Sequence, residues 1–271
     1  MRIVVLLGLA LSGGCHHIYG YSARDGAAAD QLSDRSVSDL VLDRAPADTA
    51  RPDREAGEAS TGDLGPAAPP CPSDPALVAC YRFEPGALGM DGSGKSNHLT
   101  VTNVTSVPGV EGQAAKLTAA SRLVAAHDPS LNPTTMTMEV WVRPTIPGAA
   151  RAGVLDKNLA YGIFILSTGQ VYCDIAEGSL TATISPEVWS HVACSFDGAT
   201  LRLYLDGNLA VSFPNSGSVG TGSSPLVVGG DSPTEDERLE GEVDSLRIWS
   251  TVRTAAQICA AAQAGGKSCQ P

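Results

Sequence analysis

The chain is poor in aromatic residues, at 5% of 271, and poor in positive charge, with 18 Lys and Arg against 29 Asp and Glu and a net charge of −11. A protein that follows a phosphate backbone needs a basic face, so this balance argues against nucleic acid as a partner. The N-terminal apolar run, Ile3 to Leu11, is too short to span a bilayer comfortably. No Cys-x-x-Cys occurs, and no His stands at ligand spacing from a Cys, which sets zinc aside. The histidines (His16, His17, His98, His127 and His191) form no His-Glu-x-x-His, and Gly-x-Ser-x-Gly is missing too. Glycine (29) and proline (18) are plentiful instead, a composition that suits short strands and tight turns better than long helices.

The N-terminus reads as a targeting signal over residues 1–14: Arg2, then the short apolar run, then Leu11-Ser12-Gly13-Gly14-Cys15. That end resembles a bacterial lipobox, in which the Cys is lipidated and becomes the new N-terminus. The match departs from the pattern in one respect, since the Leu stands four places before Cys15 instead of three. The resemblance implies a lipoprotein of the bacterial outer membrane or cell surface, touching the membrane only through its lipid. The other reading is ordinary secretory cleavage, with Cys15 removed or left free and the protein periplasmic or secreted.

Residues 15–70 read as a tether rich in Ala, Asp, Arg, Ser, Gly and Pro. Such a stretch buries too little apolar surface to offset its ordering entropy. As a coil it would span roughly 40 Å. Without Cys15, six cysteines remain, enough for three disulfides in an oxidising compartment. Sequential neighbours give Cys71–Cys80, Cys173–Cys194 and Cys259–Cys269. A rival scheme pairs the N-terminal two with the C-terminal two, and parity does not choose between them.

From Cys71 onward strand follows strand. Residues 136–144, MTMEVWVRP, put Met136, Met138, Val140 and Val142 on one face and Thr137, Glu139, Trp141 and Arg143 on the other. Residues 200–205, TLRLYL, point Leu201, Leu203 and Leu205 inward. Asp206-Gly207 joins them to the next run as a hairpin signal, and Asp197-Gly198 is a second such turn. One helix is predicted, from the capping box at Thr254 through Ala262, stopped by Gly265-Gly266. About a dozen strands make an all-β, two-sheet antiparallel sandwich over residues 71–271.

Several segments, in order, resemble laminin-G-like jellyroll domains of the concanavalin A-like lectin and glucanase superfamily. They are YRFE at Tyr81, the Met136–Pro144 strand, WSHVACSFDGATLRLYLDGNLAV from Trp189, PLVVGG at Pro225, and GEVDSLRIWSTVRT from Gly241. Asp91, Ser93, Gly94, Asn97 and His98 match a D-x-S-G-x-x-N-H loop near the first strand. The resemblance spans about residues 76 to 262. It implies a jellyroll and a binding role for carbohydrate or protein. It also implies Ca²⁺ near that loop, proposing Asp91 and Asn97 with Asp244 as a distal ligand. The alternative is that Asp91 organises a turn through its own backbone.

Gly89 to Ser96 also matches G-x-x-x-x-G-K-S. A phosphate loop must follow a buried strand and open a helix. Here EPGALGM precedes and the β-branched NHLTVTNV follows, so the match is read as accidental and no nucleotide is expected. A glucanase strand carries E-x-D-x-x-E. Glu242-Val243-Asp244 begins that pattern, but Arg247 stands where the second catalytic Glu belongs. Glycoside hydrolysis needs two carboxyls, so the chain reads as a non-catalytic binding module. A divergent extracellular glycoside hydrolase or lyase, and a structural envelope lipoprotein, are the alternatives. Trp141, Trp189 and Trp249 are assigned to packing. Tyr161, Tyr172 and Tyr204 remain as candidate platforms for a sugar.

Overall fold

A computed structural model describes residues 69–271. The signal at 1–14, Cys15 and the tether up to residue 68 lie outside the described residues.

Among the described residues fifteen strands and one α-helix follow one another. The first five strands are β1 (Leu77–Tyr81), β2 (Leu99–Thr102), β3 (Thr105–Pro108), β4 (Gln113–Leu117) and β5 (Arg122–Ala125). Next come β6 (Met136–Pro144), β7 (Arg151–Lys157), β8 (Tyr161–Leu166), β9 (Gln170–Ile175) and β10 (Gly178–Thr183). The last are β11 (Ser190–Phe196), β12 (Thr200–Leu205), β13 (Asn208–Pro214), β14 (Leu226–Val228) and β15 (Gly241–Trp249), followed by α1 (Ala255–Ala264).

The strands form two antiparallel sheets of a jellyroll sandwich. Sheet A runs β13-β12-β11-β6-β15-β4-β3, with β1 also paired to β15. Sheet B runs β10-β9-β8-β7-β14-β5-β2. Their inner faces form one core from alternate residues, among them Met138, Val140 and Val142 of β6, Leu201 and Leu203 of β12, and Ile163 and Ile165 of β8.

Three cysteine pairs stand at disulfide distance, and they are the sequential ones. Cys71–Cys80, Cys173–Cys194 and Cys259–Cys269 have Cα–Cα separations of 6.2, 6.3 and 5.7 Å. Cys173 of β9 and Cys194 of β11 join the two sheets through the core. The other two pin the ends, one beside β1 and one holding the C-terminal tail to α1.

The Asp206-Gly207 turn has positive φ at both residues, 49° and 81°, as a two-residue hairpin requires. Asp197-Gly198 is built differently. Only Gly198 has positive φ, 93°, and Asp197 closes the loop by accepting hydrogen bonds from Ala199 and Thr200 amides through Oδ1 at 2.9 and 2.7 Å. Thr254 and Gln257 form the expected capping box, and α1 continues past Ala262 to Ala264 before Gly265 ends it.

The Gly89–Ser96 segment lies in the β1–β2 loop, and the element after it is β2, not a helix.

Candidate functional site

The outer face of sheet A is roofed. Ile258 of α1 packs on Ala193 and Tyr204. The end of the helix lies so close to the sheet that a Cβ on Gly265 would stand 2.3 Å from Trp141 Cζ2. Under and beside this roof outward residues of β15 bond to β6 and to Glu111, while both ring nitrogens of His191 on β11 lack a hydrogen-bond partner. Trp249 Nε1 donates to Glu139 Oε1 at 3.1 Å. Arg247 and the Ser245 hydroxyl both donate to Glu111 Oε2 at 2.7 Å. Arg253 lies 4.0 Å over the Trp249 ring. His191 is buried beside Glu139 and against Trp141, with ring centroids 5.1 Å apart. Burial holds its imidazole below the ordinary value, while the Glu139 carboxylate pulls the other way.

The glucanase-like strand is part of this arrangement. Glu242 pairs with Arg143. Asp244 Oδ2 accepts from the Val110 and Glu111 amides, each at 2.8 Å. Arg247, in place of a second Glu, pairs with Glu111.

The D-x-S-G-x-x-N-H loop has a role for each of its letters. Asp91 Oδ1 accepts from the Cys80 and Ser93 amides, each at 2.9 Å. Its Oδ2 accepts from Ser93 Oγ at 2.7 Å and from the Asn97 amide at 2.9 Å. Gly94 takes φ of +82°. Asn97 Nδ2 donates to Val78 O and Ser130 Oγ at 2.7 and 3.0 Å, and His98 Nδ1 accepts from the Asp91 amide at 3.0 Å.

The structure thus joins Asp91 to Asn97, but Asp244 shares no hydrogen-bond partner with either. Calcium needs six to eight oxygens free to turn toward it. Asp91 already accepts four hydrogen bonds from the chain, and Asp244 is turned to the 110–111 amides. Among the described residues no group of three or more His, Cys, Asp and Glu could hold a metal ion. This donor set does not fit a resident calcium.

Among the described residues no helix lies on the outer face of sheet B. Across it, register aligns Asp156 of β7 with Gly162 of β8 and Asp174 of β9. The next row holds Phe164 and Tyr172, ring centroids 6.0 Å apart, with Arg151 lying 4.2 Å over the Phe164 ring. Phe164 is covered, Tyr172 is half-buried, and Ser179, Thr181 and Thr183 of β10 lie exposed beside them.

The acidic 229–240 segment between β14 and β15 borders this face. Glu237 pairs with Arg151 at 2.5 Å, and the Ser232 amide donates to Asp156 Oδ2 at 2.7 Å. Burial pushes Asp156 up to about 6, the Asp231 and Asp174 carboxylates adding to it while the Ser232 amide and Arg151 oppose. Burial raises Asp174 also, with Arg151 opposing.

Of the three tyrosines proposed as platforms, this face presents Tyr172. Tyr161 is buried and donates to Leu131 O at 3.0 Å, while Tyr204 is under α1. Arg151, Asp156, Phe164 and Asp174 were not among the residues picked out from the sequence. Strand alternation in YGIFIL and QVYCDI marks Phe164, Tyr172 and Asp174 as outward. The cross-strand register that brings them together has no local signature.

These features define a jellyroll sandwich with one outer face covered by α1 and the other bordered by the 229–240 segment. The chain belongs to the Laminin_G_3 family of the concanavalin A-like lectin/glucanases superfamily, whose model matches residues 118–259. No curated protein matches it.

Among solved structures it is similar to domain 4 of AbnA, a GH43 extracellular arabinanase from Geobacillus stearothermophilus, in complex with arabinotriose. That likeness has TM-score 0.58 and 21% identity, over 69% of this chain and 98% of that one. It is also similar to the binding domain of Paraclostridial Mosquitocidal Protein 1 (TM-score 0.56, 16% identity, 69% of this chain and 52% of that one). A third is the binding domain of botulinum neurotoxin DC in complex with rat synaptotagmin II (TM-score 0.55, 12% identity, 70% of this chain and 52% of that one). The chain spans about half the length of the two toxin domains, and at these identities the likeness concerns the fold. The cysteine pairs and a domain of this type point to export. No helix among the described residues is long and apolar enough to cross a membrane.

Proposed function

We propose that this is a non-catalytic binding module of an exported protein, and that it takes carbohydrate on the outer face of sheet B. One observation carries the reading: Tyr172 and Asp174, both half-buried, share a sheet face that α1 leaves uncovered, with the exposed Ser179, Thr181 and Thr183 beside them. An aromatic ring with a carboxylate beside it suits a sugar, whose C–H faces stack and whose hydroxyls donate. The arabinotriose bound to a domain of this fold supports the same ligand class.

The carboxyls of the glucanase-like strand are held by Arg143 and by two backbone amides, which supports recognition over bond cleavage. The tether of residues 15–70 would present the domain at the cell surface, anchored by a lipid on Cys15. Recognition in this reading does not require calcium. The test is a glycan array probed with the whole exported chain. Wild type is expected to retain a set of glycans that Tyr172→Ala loses. Retention of a protein from the producing cell's surroundings, with no glycan bound, would overturn the carbohydrate reading.

A further inference from the structure

Strand β13 forms one edge of sheet A and leaves nearly its whole length in solvent. Its Leu209 and Phe213 are 54% and 63% exposed. An edge strand of this kind is ordinarily guarded by a Lys, an inward-pointing charge or a cover, because its free N–H and C=O groups can pair with another chain. No charge guards this one. From Gly207 to Gly230 the sequence holds no Asp, Glu, Lys or Arg. The neighbouring edge of sheet B, β10, lies against β12 and β13 and is uncharged too. What guards β13 sits toward its ends: a register shift that leaves Ala210 unpaired, and Pro214. Residues 211–214 between them pair regularly with β12.

The phase of that pairing fixes which backbone groups are free. The Asn215 amide donates to Ala199 O at 2.8 Å. Alternation then turns the backbone groups of Phe213 and Val211 toward β12 and leaves the N–H and C=O of Ser212 facing out. Pro214 takes the next outward position, where its missing N–H costs nothing. Phe213 and Val211 stand opposite Leu201 and Leu203 and share their core-facing side, while the exposed Ser212 lies on the other.

A two-fold axis through Ser212 makes this strand its own complement. We propose that β13 pairs antiparallel with β13 of a second copy of the chain, so that the two A sheets become one. Each Ser212 amide then donates to the Ser212 carbonyl of the other copy. Val211 of each copy stands opposite Phe213 of the other, an aromatic ring against a β-branched side chain, which is a favourable cross-strand pair. Two chains of net charge −11 repel, and they approach at least cost where neither carries charge. A cationic partner would be drawn to the acidic remainder of the surface instead. The contact uses the same patch on both copies and closes at two.

The experiment is sedimentation equilibrium of the whole chain in non-ionic detergent, which keeps any lipid on Cys15 from clustering the chains. Wild type is expected to pass from monomer to dimer as its concentration rises. Ser212→Lys sets two like charges opposite each other at the axis, and should weaken the dimer by about tenfold or more. Its melting temperature as a monomer should match wild type, since Ser212 is exposed. Register is tested by Ser212→Cys. The two Cα atoms would lie about 5.5 Å apart, so mild oxidation should link the copies beyond the wild-type background, while Asn208→Cys should not. A wild-type chain that is monomeric at every concentration, or that pairs only with a different protein, would overturn the proposal. So would a dimer that Ser212→Lys leaves intact, or one that Thr181→Lys on β10 dissolves in its place.

Discussion

The two outer faces of the sandwich carry similar chemistry and use it differently. Each has carboxylates, an arginine and aromatic rings. Outside sheet A, Glu111, Glu139, Arg247 and Trp249 are bonded together, with Tyr204 and Trp141 covered by α1 and the chain that follows it. Outside sheet B, Arg151 pairs with Glu237 and also draws down Asp156 and Asp174, which burial raises. What separates the two faces here is what covers them, not their composition: α1 and the chain after it lie over sheet A, and among the described residues no helix lies over sheet B.

The largest effect should come from opening the closed face. Arg247→Ala leaves Glu111 and Glu139 buried without their cation, and breaking such a pair costs about 3–5 kcal/mol. Urea unfolding is expected to show that loss, with glycan affinity at saturating folded fraction unchanged. A stability change under 1 kcal/mol would mean that the roofed network is solvated, and the contrast between the faces would fall.

Next in size is the response to pH. Asp156 has a folded-state pKa raised to about 6, so the folded chain holds a proton that the unfolded chain has lost between roughly pH 4 and 6. Raised carboxylates make the folded state relatively more stable as pH falls through that window. Asp156→Asn has no such group, so wild type should gain on the variant by up to about 3 kcal/mol between pH 7.5 and pH 4. The comparison with the variant matters because other groups also move. Asp244, raised to about 6 by burial outside sheet A, shares the sign. His191 is lowered, so the unfolded chain takes up a proton first and acid works against it. A wild-type–variant gap that is flat with pH would show Asp156 to be solvated in the folded protein.

Much of this architecture was legible before any coordinates. Alternation in Met136–Pro144 and Thr200–Leu205 placed inward and outward residues correctly, because period two is a local property of the chain. Asp206-Gly207, the Thr254 capping box and the cysteine neighbours are also local. The strand β7 was missed for a physical reason. A register shift between Gly153 and Leu155 puts Val154 and Leu155 in the core in succession, and that erases the alternation. The four-residue strands β3 and β5 are too short to show a period. The candidate site was least legible, since Asp156, Gly162 and Asp174 come from three strands and meet only through pairing. Tyr172 was picked out as a platform, but so were Tyr161 and Tyr204, because a tyrosine's burial depends on what the rest of the chain lays over it.

A smaller effect on stability, with a large one on binding, is expected from the open face. Tyr172 is half-buried and its hydroxyl bonds to nothing in the described chain, so Tyr172→Ala should cost under about 1 kcal/mol while abolishing glycan retention. Loss of several kcal/mol would place Tyr172 with the packing residues and remove the reason for assigning the ligand to this face.

The smallest predicted effect is none, and it concerns the loop between the faces' shared edges. If Asp91 serves the backbone, calcium has nothing to add to it. Its carboxylate already accepts from Cys80, Ser93 twice and Asn97, and those bonds join β1 to the start of β2. Asp91→Ala should therefore lower the melting temperature, because buried amides lose their acceptors. It should do so by the same amount in millimolar calcium and in EDTA, and wild type should melt identically in both. A rise in the wild-type transition with calcium, absent in Asp91→Ala, would mean that the loop opens its oxygens to a cation. The contrast between a self-satisfied loop and an open sheet face would then have to be redrawn around a metal.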